Sequence, residues 1–267
     1  MTINQNFLIC LTGLPASGKS TFAIELKKVL EKKFIKIEVK IIDPDNIRQT
    51  LTQNKFYYKK EHLVREQNLE IIKAELKNGS IVISDDLNYY TSMRHDLKNI
   101  ADELNRNFFI IHIDTPLEIC LKWNEKRGKP IPHKIIKRIN KKFDDFNKYK
   151  WDTPFAIYNM SKATDLNEFL IDCVDRLYFN LKHALKILEG DSSFKQDLNL
   201  YNEELDKITR NYVGKLLEDS NYHPLKNKII KLRREFVKIK KNEYLSELEI
   251  QNSFQKFLEE ILNIKIS

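Results

Sequence analysis

Residues 7–21 read FLICLTGLPASGKST. An apolar run, a glycine-punctuated turn and the start of a helical pattern follow one another. GLPASGKS fits GxxxxGK[ST] in the strand–loop–helix setting that makes this pattern, the Walker A motif, a phosphate cradle. Gly13 and Gly18 let backbone N–H groups turn inward around phosphate oxygens, and the helix starting near Lys19 aims its positive end at them. The expected nucleotide-binding set is Gly13, Leu14, Pro15, Ala16, Ser17, Gly18, Lys19, Ser20 and Thr21. Lys19 is expected at the β and γ phosphates and the Ser20 hydroxyl at Mg²⁺, an ion that keeps much of its water in such sites. A plain glycine turn capping a helix is the alternative, but it does not require strand, loop and helix to agree as they do in this chain.

Outward from this motif, FLICLT (7–12), VKII (39–42), SIVIS (80–84), FFIIHI (108–113) and FAIY (155–158) read as strands. The stretches 20–32, 60–77, 92–104 and 133–146 between them read as helices. The alternation predicts an α/β fold: a mainly parallel sheet flanked by helices, with ligands bound beyond the carboxyl ends of the strands. No strand pattern follows FAIY. Residues 166–188 read as one long helix, EGDSSFKQD (189–197) as a polar connection, and the remainder as two or three helices. The expected organisation is a P-loop kinase domain over 1–188, a linker over 189–197 and a small all-helical domain over 198–267. Leu225, Ile229, Leu232, Phe236 and Ile239, spaced 4, 3, 4, 3, predict one apolar stripe in that last domain.

The 267 residues carry a net charge of +8 and a sequence pI near 9.1, a balance suited to a polyanionic partner. Two stretches hold the excess: eleven Lys/Arg against three acids over 122–150, and eight against Glu235 over 226–241. Cys10, Cys120 and Cys173 form no CxxC pair, so neither a disulfide framework nor a cysteine metal cage is indicated. No run approaches the length of a membrane span, and the first residues lack the regions of a signal peptide, so a cytoplasmic protein is expected.

The class of P-loop protein follows by elimination. A GTPase would be expected to show NKxD and DxxG motifs, and a remodelling ATPase an Asp-Glu pair after a strand. SIVISDDLN ends instead in Asp85 and Asp86. A small kinase is left. Asp45 and Arg48, in VKIIDPDNIR, lie three apart just past the second strand, where both face the same way if Asp45 opens a helix. Asp45 would orient the acceptor hydroxyl and Arg48 hold an anion, because phosphoryl transfer needs alignment more than early deprotonation. A helix cap and a surface charge are the alternative. Asp86 is the expected acidic group for the Mg²⁺ water shell, with Asp85 as its alternative. Asn88, Tyr89, Tyr90 and Arg94 are candidates to line the acceptor cleft. WNEKRGKPIP (123–132) reads as a lid in which Arg127 would steady charge on the transferred group.

These motifs together resemble the O-phosphoseryl-tRNA(Sec) kinase family in its archaeal form, itself similar to the wider group containing polynucleotide kinase. The resembling stretches are LTGLPASGKSTF, DPDNIR, ISDDLNYYTSMRHDL, RGKPIP and KKFDDFNKYKWDTPF, within the first 160 or so residues. The resemblance implies ATP-dependent phosphorylation of the seryl group on tRNA(Sec), a step in selenocysteine biosynthesis. It implies ATP and Mg²⁺ as cofactors, Lys19 and Ser20 as nucleotide and Mg²⁺ residues, Asp45 as the catalytic carboxylate and Arg48 as its partner. The family's lid carries an RxxxR pair; Arg127 matches its second position, but Trp123 stands at the first, which leaves the two-arginine clamp open. The family's C-terminal helical module grips tRNA. In this chain Lys226, Lys228, Lys231, Arg233, Arg234 and Lys238 would coat such a module, although any solvated amphipathic helix shows a similar coat. Expected partners are ATP and serine-charged tRNA(Sec), with no membrane, and homodimer formation is left open. A kinase of a polynucleotide 5′-hydroxyl or a small-molecule hydroxyl, and a nucleotide-gated RNA-binding protein, stay as alternatives.

Overall fold

The computed structural model of the chain describes residues 5–52, 58–146, 148–162, 165–189, 193–241, 245 and 247–266. Its sheet has five parallel strands in the order β2-β3-β1-β4-β5. The central strand β1 (Phe7–Gly13) is buried along its whole length, which explains why its sequence is continuously apolar rather than alternating. β3 (Ile81–Asp85) and β4 (Asn107–Ile113) flank it, and β2 (Val39–Ile42) and β5 (Ala156–Tyr158) lie outside them. The register places Asp85 opposite Leu11 and Ile113 opposite Gly13, so the ends of three strands meet at the turn after β1.

Helices cover both faces. α3 (Glu61–Lys77) and α4 (Thr91–Glu103) contribute Ile72, Leu76, Leu97, Ile100 and Ala101 to a cluster with Leu8, Cys10, Val82 and Ile110. Ile9 and Leu11 alternate to the other face, and α1 (Lys19–Lys33) buries Phe22, Ala23, Leu26 and Leu30. α2 (Pro44–Thr52) follows β2 at once. α5 (Leu117–Lys126) and α6 (His133–Lys141) seat Cys120, Ile136 and Ile139 against Leu14 of the turn after β1.

The helix expected over 133–146 is shorter than its sequence suggests. It stops at Lys141, because Phe143 and Phe146 turn away to pack on His112, with ring centroids 5.4 and 4.9 Å apart, and Asp144 N donates to Tyr89 O at 2.9 Å.

Chain contacts divide the protein into two compact units, 1–174 and 175–267, the division falling inside α7 (Leu166–Glu189). In the first unit, Phe169 of α7 packs on Tyr158 at 4.4 Å. The second unit is helical: α8 (Ser193–Leu216), α9 (Lys226–Lys240) and α10 (Glu247–Leu262) follow α7. Of the connection expected over 189–197, Glu189 ends α7 and 193–197 already belong to α8, while 190–192 lie outside the described residues. The core of this unit joins Leu205 and Ile208 to Ile229, Leu232, Phe236, Ile250, Phe254 and Leu258. The predicted stripe of α9 ends early: Ile239 is 58% exposed, and Val237 carries the packed face past Phe236 instead. Among the described residues no helix is long and apolar enough to cross a membrane.

Candidate active site

The turn after β1 is shaped by its backbone. Gly13 has φ 153°, and a Cβ there would lie 2.6 Å from the Ile113 carbonyl oxygen. Gly18 has φ 96° and caps α1 without any side-chain hydrogen bond to the first turn, which leaves N–H groups of the helix start for an anion. Ser17 N donates to Leu14 O at 3.2 Å, and the buried Thr115 hydroxyl, just past β4, supports the loop by donating to Ser17 O at 2.8 Å. Lys19 is buried. Its Nζ donates to the carbonyls of Gly13 (3.1 Å) and Leu14 (2.7 Å). Burial holds the Lys19 ammonium below the usual lysine range, and Asp85 and Asp86 oppose that shift.

Three carboxylates converge on this turn from the ends of β2 and β3. Asp85, the last residue of β3, accepts a hydrogen bond from the Ser20 side chain; burial pushes its carboxyl up, while Ser20 and Lys19 pull it down. Asp86 follows just past the end of the strand. Its Oδ1 accepts from Leu87 N at 2.7 Å. Burial raises Asp86 as well, against Leu87 N–H and the charges of Arg48, Arg65 and Lys19. The carboxylate that meets Ser20 is therefore Asp85 rather than Asp86. The third, Asp43, opens the DPDNIR stretch but is not among the expected site residues. It is pushed up to about 6 by burial, opposed by the Asp45 N–H that its Oδ1 accepts at 2.8 Å, and reinforced by the charges of Asp45, Asp85 and Asp86. Its one mark in the sequence is that of Asp85, an acid at the end of a strand.

Asp45 lies in the first turn of α2 and is 77% exposed, open to an incoming group. Arg48, one turn on, donates from Nη1 to Asp45 and is itself clamped by Glu61 at the start of α3, with Nε to Oε1 at 3.1 Å and Nη2 to Oε2 at 2.9 Å. Burial opposes the Arg48 charge, but hydrogen bonds and charge from Glu61 and Asp45 hold it above the ordinary arginine range. The spacing argument for Asp45 and Arg48 is thus met in space. Nothing in the sequence singles out Glu61, thirteen residues away.

Arg94 does not line the cleft. It is wholly buried and paired with the equally buried Asp152 through Nε to Oδ1 (2.6 Å) and Nη2 to Oδ2 (2.7 Å). Its Nη1 donates to Asn88 O at 3.1 Å, and Asn88, at φ 43°, donates from Nδ2 to Leu11 O at 2.8 Å. Arg94 thereby supports the 86–90 loop from behind. The rings of Tyr89 and Tyr90 pack with centroids 4.1 Å apart and a 38° tilt, and burial together with Tyr90 pushes the Tyr89 phenol up to about 12.

In the expected lid, Arg127 caps α5 and is exposed, as are Lys126 and Lys129. The buried Asn124 fixes the turn, donating from Nδ2 to Ile131 O (2.7 Å) and accepting from Ile131 N at 3.3 Å. Trp123 is half-buried. In the helical unit, Lys226, Lys228, Lys231, Arg234 and Lys238 lie along α9 with at least part of each side chain in solvent. Arg233 differs: its Nη1 donates to Asp206 at 2.6 Å and joins α9 to α8, holding the Asp206 carboxyl below its ordinary range.

The chain is similar to proteins of one family. The sequence profile of the family described as chromatin associated protein KTI12 matches residues 7–259. An L-seryl-tRNA(Sec) kinase of Methanococcus maripaludis is 35% identical over 254 residues, covering 94% of this chain and 97% of that protein. Protein kti12 of Schizosaccharomyces pombe is 25% identical over 228 residues, covering 80% of this chain and 77% of that one. Among solved structures, Kti12 of Chaetomium thermophilum in complex with ADP-AlF3 superposes with a TM-score of 0.52 at 20% identity, over 62% of this chain and 96% of that one, a likeness of fold.

Proposed function

The chain belongs to the KTI12 family, and on that premise we propose that it is an ATP-dependent kinase of the seryl hydroxyl of Ser-tRNA(Sec), making O-phosphoseryl-tRNA(Sec) for selenocysteine biosynthesis in the cytoplasm. The observation that carries this reading is the 35% identity, over nearly the whole of both chains, to a protein named as that kinase. The geometry supports a phosphotransferase independently, since a backbone cradle after β1 and an Asp–Arg–Glu cluster after β2 stand at the same end of the sheet, on either side of β3.

In the proposed reaction the seryl Oγ attacks the γ-phosphorus, the bond from that phosphorus to the β-γ bridging oxygen breaks, and ADP leaves. Lys19 and the backbone N–H groups at the start of α1, those of Gly18, Lys19 and Ser20, hold the phosphates. Asp45 orients the hydroxyl and takes its proton, which solvent then removes; Arg48, kept in place by Glu61, holds the acceptor against the cradle. Arg127 lies on the expected lid, where it would steady the transferred charge. Ser20 and Asp85 suit Mg²⁺, with Asp86 nearby: like charges raised in pKa by burial and mutual proximity are what a divalent cation relieves. Mg²⁺ in such a site is held mostly by phosphates and water, with few protein groups. Mg²⁺ would neutralise phosphate charge and orient the oxygens.

The test supplies labelled ATP with Ser-tRNA(Sec), Ser-tRNA(Ser) or small hydroxyl acceptors. Phosphoserine on tRNA(Sec) is expected. Label confined to 5′-hydroxyl ends or small molecules, or RNA binding that responds to nucleotide with no phosphoserine formed, overturns the reading.

A further inference from the structure

Resting on the proposed RNA acceptor, we propose that a groove at the start of α4, separate from the catalytic cleft, stacks an unpaired nucleobase of the RNA. Ser92 and His95 of α4 form one wall, and Asp144, Asp145, Phe146, Lys148, Tyr149 and Trp151 form the other. On that second wall the rings of Tyr149 and Trp151 lie nearly parallel, at 12° with centroids 6.0 Å apart, and His95 sits 5.2 Å from Trp151. Tyr149 is 45% exposed and Trp151 half-buried, so part of this aromatic pair is open to solvent.

Three features favour a base over other occupants. Flat rings stack on any nucleobase whatever its hydrogen-bonding edge. Lys148 Nζ lies 5.5 Å above the Tyr149 ring, a cation at one end of the groove for the phosphate that adjoins a stacked base. Asp144 and Asp145 line the groove, so an isolated anion seated there is repelled, whereas the exocyclic amino groups of a base meet acceptors. The position is also apt. Asp144 accepts from Thr91 N at 2.8 Å and its own N–H donates to Tyr89 O at 2.9 Å, which joins this wall to the loop leading from Asp85 and Asp86. The eleven basic residues over 122–150 attract the rest of the strand. An acidic and aromatic lining also suits a lysine-rich peptide, and the experiment separates the two.

The chain has two tryptophans, so full-length Trp123→Phe protein, its fold checked by melting curve, reports on Trp151 alone. Its fluorescence is titrated with a single-stranded tetraribonucleotide, a blunt RNA duplex and a lysine-rich peptide. Quenching by the single strand is expected, lost in Tyr149→Ala and kept in Tyr149→Phe. In the kinase assay Tyr149→Ala should raise KM for Ser-tRNA(Sec) by about 5- to 140-fold, the range that loss of one base stack implies, with KM for ATP unchanged. No quenching by single-stranded RNA, quenching by the peptide alone, or an unchanged KM for charged tRNA overturns the proposal. If the wild-type protein makes no phosphoserine, the kinase reading fails by itself, and the fluorescence titration still decides the groove.

Discussion

The cradle and the acceptor wall are built from different materials. Around Lys19 the shape comes from backbone: two glycines at positive φ, carbonyls that receive Nζ, and a helix start. Around Asp45 it comes from side-chain ion pairs, Arg48 reaching Glu61 thirteen residues away, while Arg94 and Asp152, fifty-eight residues apart, support the 86–90 loop from behind. A backbone device needs contiguous residues and tolerates little change at a glycine. A side-chain network can be assembled from anywhere and fails one partner at a time.

The largest effect should come from the backbone device. Gly13→Ala drives a Cβ to 2.6 Å from the Ile113 carbonyl, and nucleotide binding measured by calorimetry should be lost while the helical unit keeps its structure; binding near wild-type strength contradicts the steric argument. Next is the buried pair. Arg94→Met leaves Asp152 charged with its ion-pair partner gone, and denaturant unfolding should show a loss of about 3–5 kcal/mol, with much of it recovered in Arg94→Met/Asp152→Leu. A loss confined to activity would instead place Arg94 in the cleft.

The contrast also explains what could be read from the sequence. β2 and the start and end of β1 follow from apolar runs, and Gly13–Ser20 from one contiguous pattern, because each depends on neighbours along the chain. Asp45 and Arg48 could be paired since one helical turn separates them. Glu61 could not, nor could the burial of Arg94, because their partners are set by how α3, α4 and the segment around Asp152 pack. That Asp85 rather than Asp86 meets the Ser20 side chain depends on where β3 ends against the start of α1, which the pair of acids in the sequence does not show. Ile239 and the end of α6 failed for the same reason, tertiary packing overriding a local period.

A smaller effect concerns pH. Asp43 rises from 3.8 to about 6 on folding, so between these values the folded protein holds a proton that the unfolded chain has released. Stability therefore falls as pH rises through that window, and Asp43→Asn should make the fall in melting temperature shallower; an identical slope would show that Asp43 is not burdened by its neighbours. Smallest is the coat of α9. Lys228→Glu with Lys231→Glu should weaken tRNA binding and lower its salt dependence, by about one unit of slope per phosphate contact removed, leaving ATP affinity alone. The Arg233→Lys change should instead register in stability, since Arg233 is committed to Asp206. Equal tRNA affinity of the lysine variant at every salt concentration would reassign α9 to packing.

Single-turnover phosphorylation of Ser-tRNA(Sec) by Asp45→Asn, with ATP and tRNA affinities measured alongside, is the most direct trial of the acceptor wall. Phosphoserine formation lower by orders of magnitude with both affinities near wild type is the expected result. Turnover equal to wild type would remove Asp45 from the chemistry and, with it, the part that Arg48 and Glu61 play in holding the acceptor.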